Sequence, residues 1–183
     1  MARVLVPLAQ GCEELEAITI IDLLRRANID VVSAGLDDQP VRASRGTVLI
    51  ADTTLTEALQ QDFDMIVLPG GLPGADYLNN DPRIRQLLTQ MASQGKFTAA
   101  ICAAPKVLAS SGLLDGKRAT AFPGTLEKLN LTHTTLETAA VVQDGKVITS
   151  RGPGTAMDFA LHLIDILAGT VTRAQVEAGL QRS

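Results

Sequence analysis

The sequence has no tryptophan, one tyrosine and four phenylalanines in 183 residues. Its core must therefore be assembled from Val, Ile, Leu and Ala, and single-stranded nucleic acid would find no stacking platform on it. Basic residues are also scarce: sixteen Lys and Arg against twenty Asp and Glu leave a net charge of −4. That balance lacks the broad positive surface of a DNA binder. Two cysteines, Cys12 and Cys102, are too few for a disulfide framework, and with only two histidines they offer no structural zinc set. No apolar run reaches the roughly 18 residues needed to span a bilayer. The amino terminus, Met1-Ala2-Arg3-Val4-Leu5-Val6-Pro7, lacks the apolar stretch and small-residue cleavage site of a secretory signal. The expectation is a cytoplasmic protein with no membrane or specific nucleic-acid partner, no metal and no cofactor.

What is present is alternation. Val4–Leu8 reads as a buried strand, Glu13–Arg26 as an amphipathic helix and Asp30–Ala34 as a second strand. Thr47–Ala51 and Met65–Leu68 read as strands, Pro82–Ser93 as a helix, Thr98–Cys102 as a strand and Lys106–Ser110 as its following helix. Leu136–Val142 and Lys146–Thr149 suggest a hairpin closed around Asp144-Gly145. Gly154–Ala168 is a long apolar helix stopped by Gly169, and Arg173–Leu180 is a short amphipathic one. With no repeat and no linker, residues 1–183 form one α/β domain: a mainly parallel sheet with helices on both faces. In such sheets the reactive site lies beyond the carboxyl ends of the strands. That rule gathers Gln10–Glu16, Pro69-Gly70-Gly71 and the neighbourhood of Cys102.

The segment Phe97-Thr98-Ala99-Ala100-Ile101-Cys102-Ala103-Ala104-Pro105 carries the strongest signal. It runs a strand into a helix start with a cysteine at the corner, and its small neighbours permit a tight turn. Unpaired N–H groups and the helix dipole at such a corner favour a thiolate, hence a nucleophile. The competing reading is a buried small hydrophobe, the fate of most free cysteines. Gly70-Gly71 can bring backbone close to a ligand, so its N–H groups and that of Ala103 are candidates for an oxyanion hole. An ordinary strand-to-helix turn explains the glycines equally well.

Gly11-Cys12-Glu13-Glu14-Leu15-Glu16 packs three carboxylates into a first helical turn, where the dipole favours them. Glu16 shares a face with Ile20 and Leu23 and should turn inward. There desolvation would hold it partly protonated, fit to hydrogen-bond a thiolate and to move a proton. Glu13 and Glu14 are expected to face solvent. His162 lies within an apolar helix and reads as a packed residue. His133 sits in a loop with nothing to bring it to Cys102. Arg45 and Arg151, each in a Ser-Arg-Gly turn, are candidate anion contacts, with pairing to a structural carboxylate the favoured reading for both. Cys12 reads as a buried spacer rather than a resolving thiol.

These motifs resemble the ThiJ/PfpI superfamily, in particular the branch holding the Parkinson-disease protein deglycase and bacterial YajL. The resemblance runs nearly end to end: Gly11-x-Glu13-Glu14-x-Glu16, Asp22-Leu23-Leu24-Arg25-Arg26, Ser44-Arg45, Val67-Leu68-Pro69-Gly70-Gly71, Ala99-Ala100-Ile101-Cys102-Ala103-Ala104-Pro105 and Thr149-Ser150-Arg151-Gly152-Pro153-Gly154-Thr155. It implies a flavodoxin-like three-layer sandwich and a homodimer. It implies that Cys102 is a nucleophile readily oxidised to sulfinic acid, that Glu16 is its protonated partner, and that Gly71 and Ala103 form the oxyanion hole. The implied activities are glutathione-independent glyoxalase, deglycation of methylglyoxal- or glyoxal-adducted proteins and nucleotides, and chaperone action on unfolded proteins under oxidative stress. One departure stands out. The human protein of this branch has a histidine near its cysteine where this chain has Phe122, a change shared with the YajL-like members. A histidine base is thereby lost and the proton work falls on Glu16. A glutamine amidotransferase would share the elbow but needs a Cys-His-Glu triad, and no histidine here supplies it.

Overall fold

The computed structural model describes residues 1–182. β1 (Arg3–Leu8) leads through α1 (Glu14–Arg26) to β2 (Asp30–Gly35). A short ribbon of β3 (Val41–Arg42) and β4 (Val48–Leu49) precedes β5 (Thr53–Thr54) and the one-turn α2 (Leu55–Ala58). β6 (Met65–Leu68), α3 (Gly74–Asn80), α4 (Pro82–Ser93), β7 (Phe97–Ile101) and α5 (Pro105–Ser110) complete the alternating part. β8 (Arg118–Ala119) and β9 (Thr135–Leu136) pair in parallel as a separate small sheet. The chain continues through β10 (Val141–Asp144), β11 (Val147–Ser150), α6 (Ala156–Ala168) and α7 (Thr170–Gly179).

The main sheet has seven strands in the order β10-β11-β7-β6-β1-β2-β5. Every pair is parallel except β10 with β11. All of β6 is buried, as are β1 and β7 beyond their first residues. Successive side chains point to opposite faces of a sheet, so unbroken burial means that both faces are covered. α1 packs on α6 and α6 on α7, while α3 packs on α4 and α5. The result is the flavodoxin-like sandwich that the alternation and the resemblance imply. α1 illustrates the cause: Ala17, Ile20, Ile21 and Leu24 are buried at helical spacing, with Arg25 and Arg26 in its last turn to meet the dipole. Fully burying Ile20 and Leu24, and Phe159 of α6, contributes about 1.5–3 kcal/mol for each side chain.

Several boundaries differ from expectation. The apolar run at Thr47–Ala51 does not form one sheet strand. Val48 and Ile50 are 53% and 85% exposed, so the run turns its apolar side outward in the ribbon, and only Thr53–Thr54 reaches β2. Leu136 belongs to the small sheet, and the hairpin begins at Val141, turning through Gly145 at φ +62°. A 3-10 turn at Pro153–Thr155 precedes α6, and α7 starts at Thr170 rather than Arg173. α3 has no signature in the sequence, because Gly74, Asp76, Asn79 and Asn80 are weak helix formers.

Candidate active site

Cys102 directly follows β7 and adopts φ +64°. The left-handed region costs a non-glycine residue roughly 1–2 kcal/mol, so the surroundings must impose it. They do so from both sides. The Cys102 N–H donates to the Ser150 carbonyl at 3.0 Å, and the Cys102 carbonyl accepts the Phe122 N–H at 2.9 Å. The Ala104 N–H closes the turn onto the Ile101 carbonyl at 3.0 Å, and Pro105 opens α5. Ala100, Ala103 and Ala104 are all buried, as so sharp a corner requires.

Glu16 reaches this corner from the first turn of α1 and is 0% exposed. The Gly70 N–H donates to its Oε2 at 2.8 Å, and the Glu13 N–H donates to the Gly70 carbonyl at 2.9 Å. Both polar groups of one glycine thus tie the loop after β6 to the start of α1. Oε1 of Glu16 is buried without a hydrogen-bond partner, and the Cys102 thiol is the neighbouring side chain that bears on the carboxyl's ionisation. A Cβ on Gly70 would lie 2.6 Å from Cys102 Cβ and 2.8 Å from Glu16 Oε2, so only glycine fits between the pair. Gly71, at φ +86°, has no room either: its Cβ would meet the Glu13 nitrogen at 2.4 Å. The N–H groups of Gly71 and Ala103 favour the ionised form of the Cys102 sulfur. The structure therefore brings Cys102, Glu16, Gly71 and Ala103 together.

The electrostatics refine the sequence expectation. Burial pushes the Glu16 carboxyl up to about 7, with the Gly70 N–H opposing and the charge of Glu13 adding to the rise. Burial also pushes the Cys102 thiol up to about 12, the charge of Glu16 comes next, and the Gly71 and Ala103 N–H groups only partly offset them. The corner alone thus does not ionise the sulfur, contrary to the simple expectation from the elbow. A charged Glu16 opposes the thiolate, whereas a protonated Glu16 removes that repulsion and offers an O–H to it. The state of the sulfur is set by where the pair keeps its proton.

Other candidates lie elsewhere. Glu13 does not face solvent: it is 8% exposed and accepts the Ser44 Oγ–H at 2.9 Å on Oε2. Glu14 is half-buried; against a desolvation penalty, its own N–H and those of Arg45 and Thr47 bring it down to about 2. It is therefore the backbone of Arg45 that meets a carboxylate, and the side chain of Arg45 is exposed. The Arg151 guanidinium donates to the Thr138 carbonyl at 2.9 Å, in place of the expected carboxylate. His162 Nε2 is 2.8 Å from Gln143 Oε1, and burial lowers its pKa. The exposed His133 gives its carbonyl to the Gly116 N–H. The Phe122 ring packs against Gly152. Cys12 is fully buried and pushed up to about 12, first by burial and then by Glu14. Among the described residues, no group of three or more His, Cys, Asp or Glu is placed to hold a metal ion. None of their helices is long and apolar enough to cross a membrane.

Comparison with known proteins identifies relatives of the whole chain. The chain is 44% identical over 168 residues to protein DJ-1 homolog A of Arabidopsis thaliana, covering 91% of this chain but only 43% of that protein. It is 36% identical over 169 residues to the glutathione-independent glyoxalase DJR-1.2 of Caenorhabditis elegans, covering 92% of this chain and 89% of that one. The crystal structure of Drosophila melanogaster DJ-1beta superposes with a TM-score of 0.94 at 42% identity, covering 100% of this chain and 98% of that one. The model of the DJ-1/PfpI family matches residues 2–166, a span that holds the cysteine corner and everything packed around it. The chain belongs to the DJ-1/PfpI family.

Proposed function

We propose that the chain is a cysteine-dependent enzyme acting on small reactive dicarbonyls, methylglyoxal or glyoxal, and on their adducts with proteins and nucleotides. The observation that supports this most is the buried, protonatable Glu16 facing the sulfur of a strained elbow. The C. elegans relative named as a glyoxalase supports the same chemistry.

With the proton on Glu16, the Cys102 thiolate adds to the aldehyde carbon of methylglyoxal. A C–S bond forms, and the carbonyl electron pair moves to oxygen beside the Gly71 and Ala103 N–H groups. That oxygen takes the Glu16 proton. The Glu16 carboxylate then removes the hydrogen from the same carbon, giving an enediol, and returns it to the neighbouring carbon. The product is a thioester of lactate on Cys102. Water cleaves the C–S bond, releasing lactate and the thiol, so the sum is methylglyoxal plus water to lactate. Glyoxal gives glycolate by the same route.

Methylglyoxal consumption by the purified protein, corrected for buffer-catalysed reversal of adducts, tests the reading. Lactate formation that vanishes in Cys102→Ala supports it; full activity in Cys102→Ala rules the mechanism out.

The alternative is a redox-sensing holdase chaperone, in which peroxide oxidises Cys102 to a sulfinic acid. The exposed apolar residues Leu15, Ile18, Val48 and Ile50 on α1 and the neighbouring ribbon favour a partner-binding face. We assign that face to a homodimer, with unfolded clients as its competitor. Mass spectrometry after mild peroxide discriminates: an unmodified Cys102 when exposed methionines are oxidised eliminates the sensor.

A further inference from the structure

The segment Thr149-Ser150-Arg151-Gly152-Pro153-Gly154-Thr155 gives the elbow one atom directly, the Ser150 carbonyl that accepts the Cys102 N–H at 3.0 Å. Behind that carbonyl its hydroxyls form a chain. The Ser150 Oγ–H donates to the Ala140 carbonyl at 2.7 Å, and Ser150 Oγ lies 2.7 Å from Thr155 Oγ1. A serine has one hydroxyl hydrogen, and Ser150 gives it to Ala140, so Thr155 is the donor between the two. Thr155 Oγ1 accepts the Gly152 N–H at 3.1 Å, and its hydrogen has the Gly152 carbonyl as a second acceptor at 3.0 Å. The chain thus runs one way, from the Gly152 N–H through Thr155 and Ser150 to Ala140. Ser150 is 0% exposed, and every partner in the chain lies between positions 140 and 155. Its hydrogen bonds are complete within one copy of the protein.

Both backbone bonds that hold Cys102 at φ +64° end on this chain. Its N–H goes to the carbonyl of Ser150. Its carbonyl takes the N–H of Phe122, whose ring rests on Gly152: a Cβ on that glycine would lie 3.3 Å from Phe122 Cδ2. Thr149 adds a third tie, because its Oγ1 accepts the Thr120 N–H at 2.9 Å and so fixes the segment that leads to Phe122. A residue other than glycine stays in the left-handed region only where its surroundings over-determine it. Here β11 supplies that constraint, since Ser150 pairs with Ile101, the residue before the elbow. Thr155 also closes the 3-10 turn that leads into α6, and α6 packs on α1, the helix that bears Glu16. The hydroxyl chain therefore touches the supports of both members of the pair.

We propose that Ser150 and Thr155 are positioning residues for Cys102: their hydroxyl chain locks the end of β11 and thereby keeps the elbow left-handed, with the cysteine side chain beside Glu16. The two hydroxyls bond to backbone and to each other rather than to the sulfur. This rests on the nucleophile reading of Cys102 and adds two residues that act on it through the backbone.

The test is the pH profile of Cys102 alkylation by iodoacetamide, in protein carrying Cys12→Ala so that one thiol reports. Thr155→Val keeps the shape and removes the hydroxyl. The rate at pH 7 should fall by about three- to tenfold, equivalent to a midpoint raised by half to one unit. Thr155→Ser, which keeps the hydroxyl, should stay within about twofold of the parent. Ser150→Ala should lower the rate as Thr155→Val does, and the two together should fall short of the product of the single effects, because the hydroxyls act as one chain. An unchanged midpoint in Thr155→Val, even with a lower urea midpoint, marks a merely structural role and overturns the inference; so does a fall in Thr155→Ser as large as that in Thr155→Val. If Thr155→Val fails to fold, Ser150→Ala carries the same expectation, since the Ala140 carbonyl keeps the Arg151 N–H at 3.3 Å; an unchanged midpoint there overturns the inference. A parent protein that reacts like an ordinary free thiol overturns the nucleophile reading as well, so the two failures are told apart.

Discussion

The chain holds two buried cysteines in the loops that follow parallel strands. Cys12 follows β1 and Cys102 follows β7, both at the carboxyl end of a parallel strand and both buried. Burial pushes both thiols up to about 12. They differ in what surrounds the sulfur. Cys12 is opposed by the charge of Glu14, a carboxylate that backbone N–H groups hold firmly ionised. Cys102 is opposed by Glu16, whose own carboxyl is pushed up to about 7; the Gly71 and Ala103 N–H groups favour its ionised form, and its backbone angle costs energy. On the function proposed here, burial after a strand leaves Cys12 a spacer, whereas an acid that can keep its proton lets Cys102 serve as the nucleophile.

That contrast can be broken in four ways. The largest effect belongs to Cys102→Ala, which should lower methylglyoxal turnover by about a thousandfold or more; lactate formation under initial-rate conditions measures it. Glu16→Gln should come next, with turnover down by about 10²–10⁴-fold. Its neutral amide can still donate to a thiolate, so alkylation of Cys102 should stay within about threefold of the parent. A parallel collapse of both quantities would deny Glu16 its separate role in moving the proton.

The third effect is on stability. The folded protein holds the Glu16 proton to about pH 7, against an ordinary value of 4.5. A carboxyl raised on folding contributes stability that is complete below the ordinary value and is lost as pH rises through the folded one. Urea unfolding should therefore show the parent losing stability relative to Glu16→Gln as pH rises from 4.5, by up to about 3 kcal/mol once the carboxyl has ionised. A pH-independent difference between the two would contradict the buried, protonated acid. The smallest effect is Cys12→Ala, with turnover expected to stay within about twofold because that sulfur touches no reacting atom; a larger loss would give Cys12 a role it lacks in this account.

Much of this was readable from the residues themselves. Ala100, Ala103 and Ala104 announced the tight corner, and the spacing of Glu16 with Ile20 and Leu23 turned that carboxyl inward. Both depend on local geometry, which sequence periodicity reports. The sequence leaves Glu13 in solvent because its partner Ser44 lies 31 positions away. The same holds for Arg151, whose partner Thr138 lies in an irregular stretch. α3 has no local signal because packing on α4 and α5 overrides the poor helix propensity of its glycine and asparagines. The apolar run at Thr47–Ala51 misled for another reason: its apolar side chains face outward, and periodicity does not say which side of a strand is covered.

The most direct test is the pH at which Cys102 becomes nucleophilic, read from iodoacetamide alkylation in a Cys12→Ala protein and followed by mass spectrometry. A midpoint clearly below the free-cysteine value of about 8.5 is the predicted result. A midpoint at or above that value, or a thiol that does not react at all, would contradict the claim that Glu16 keeps its proton so that the sulfur can give its own up.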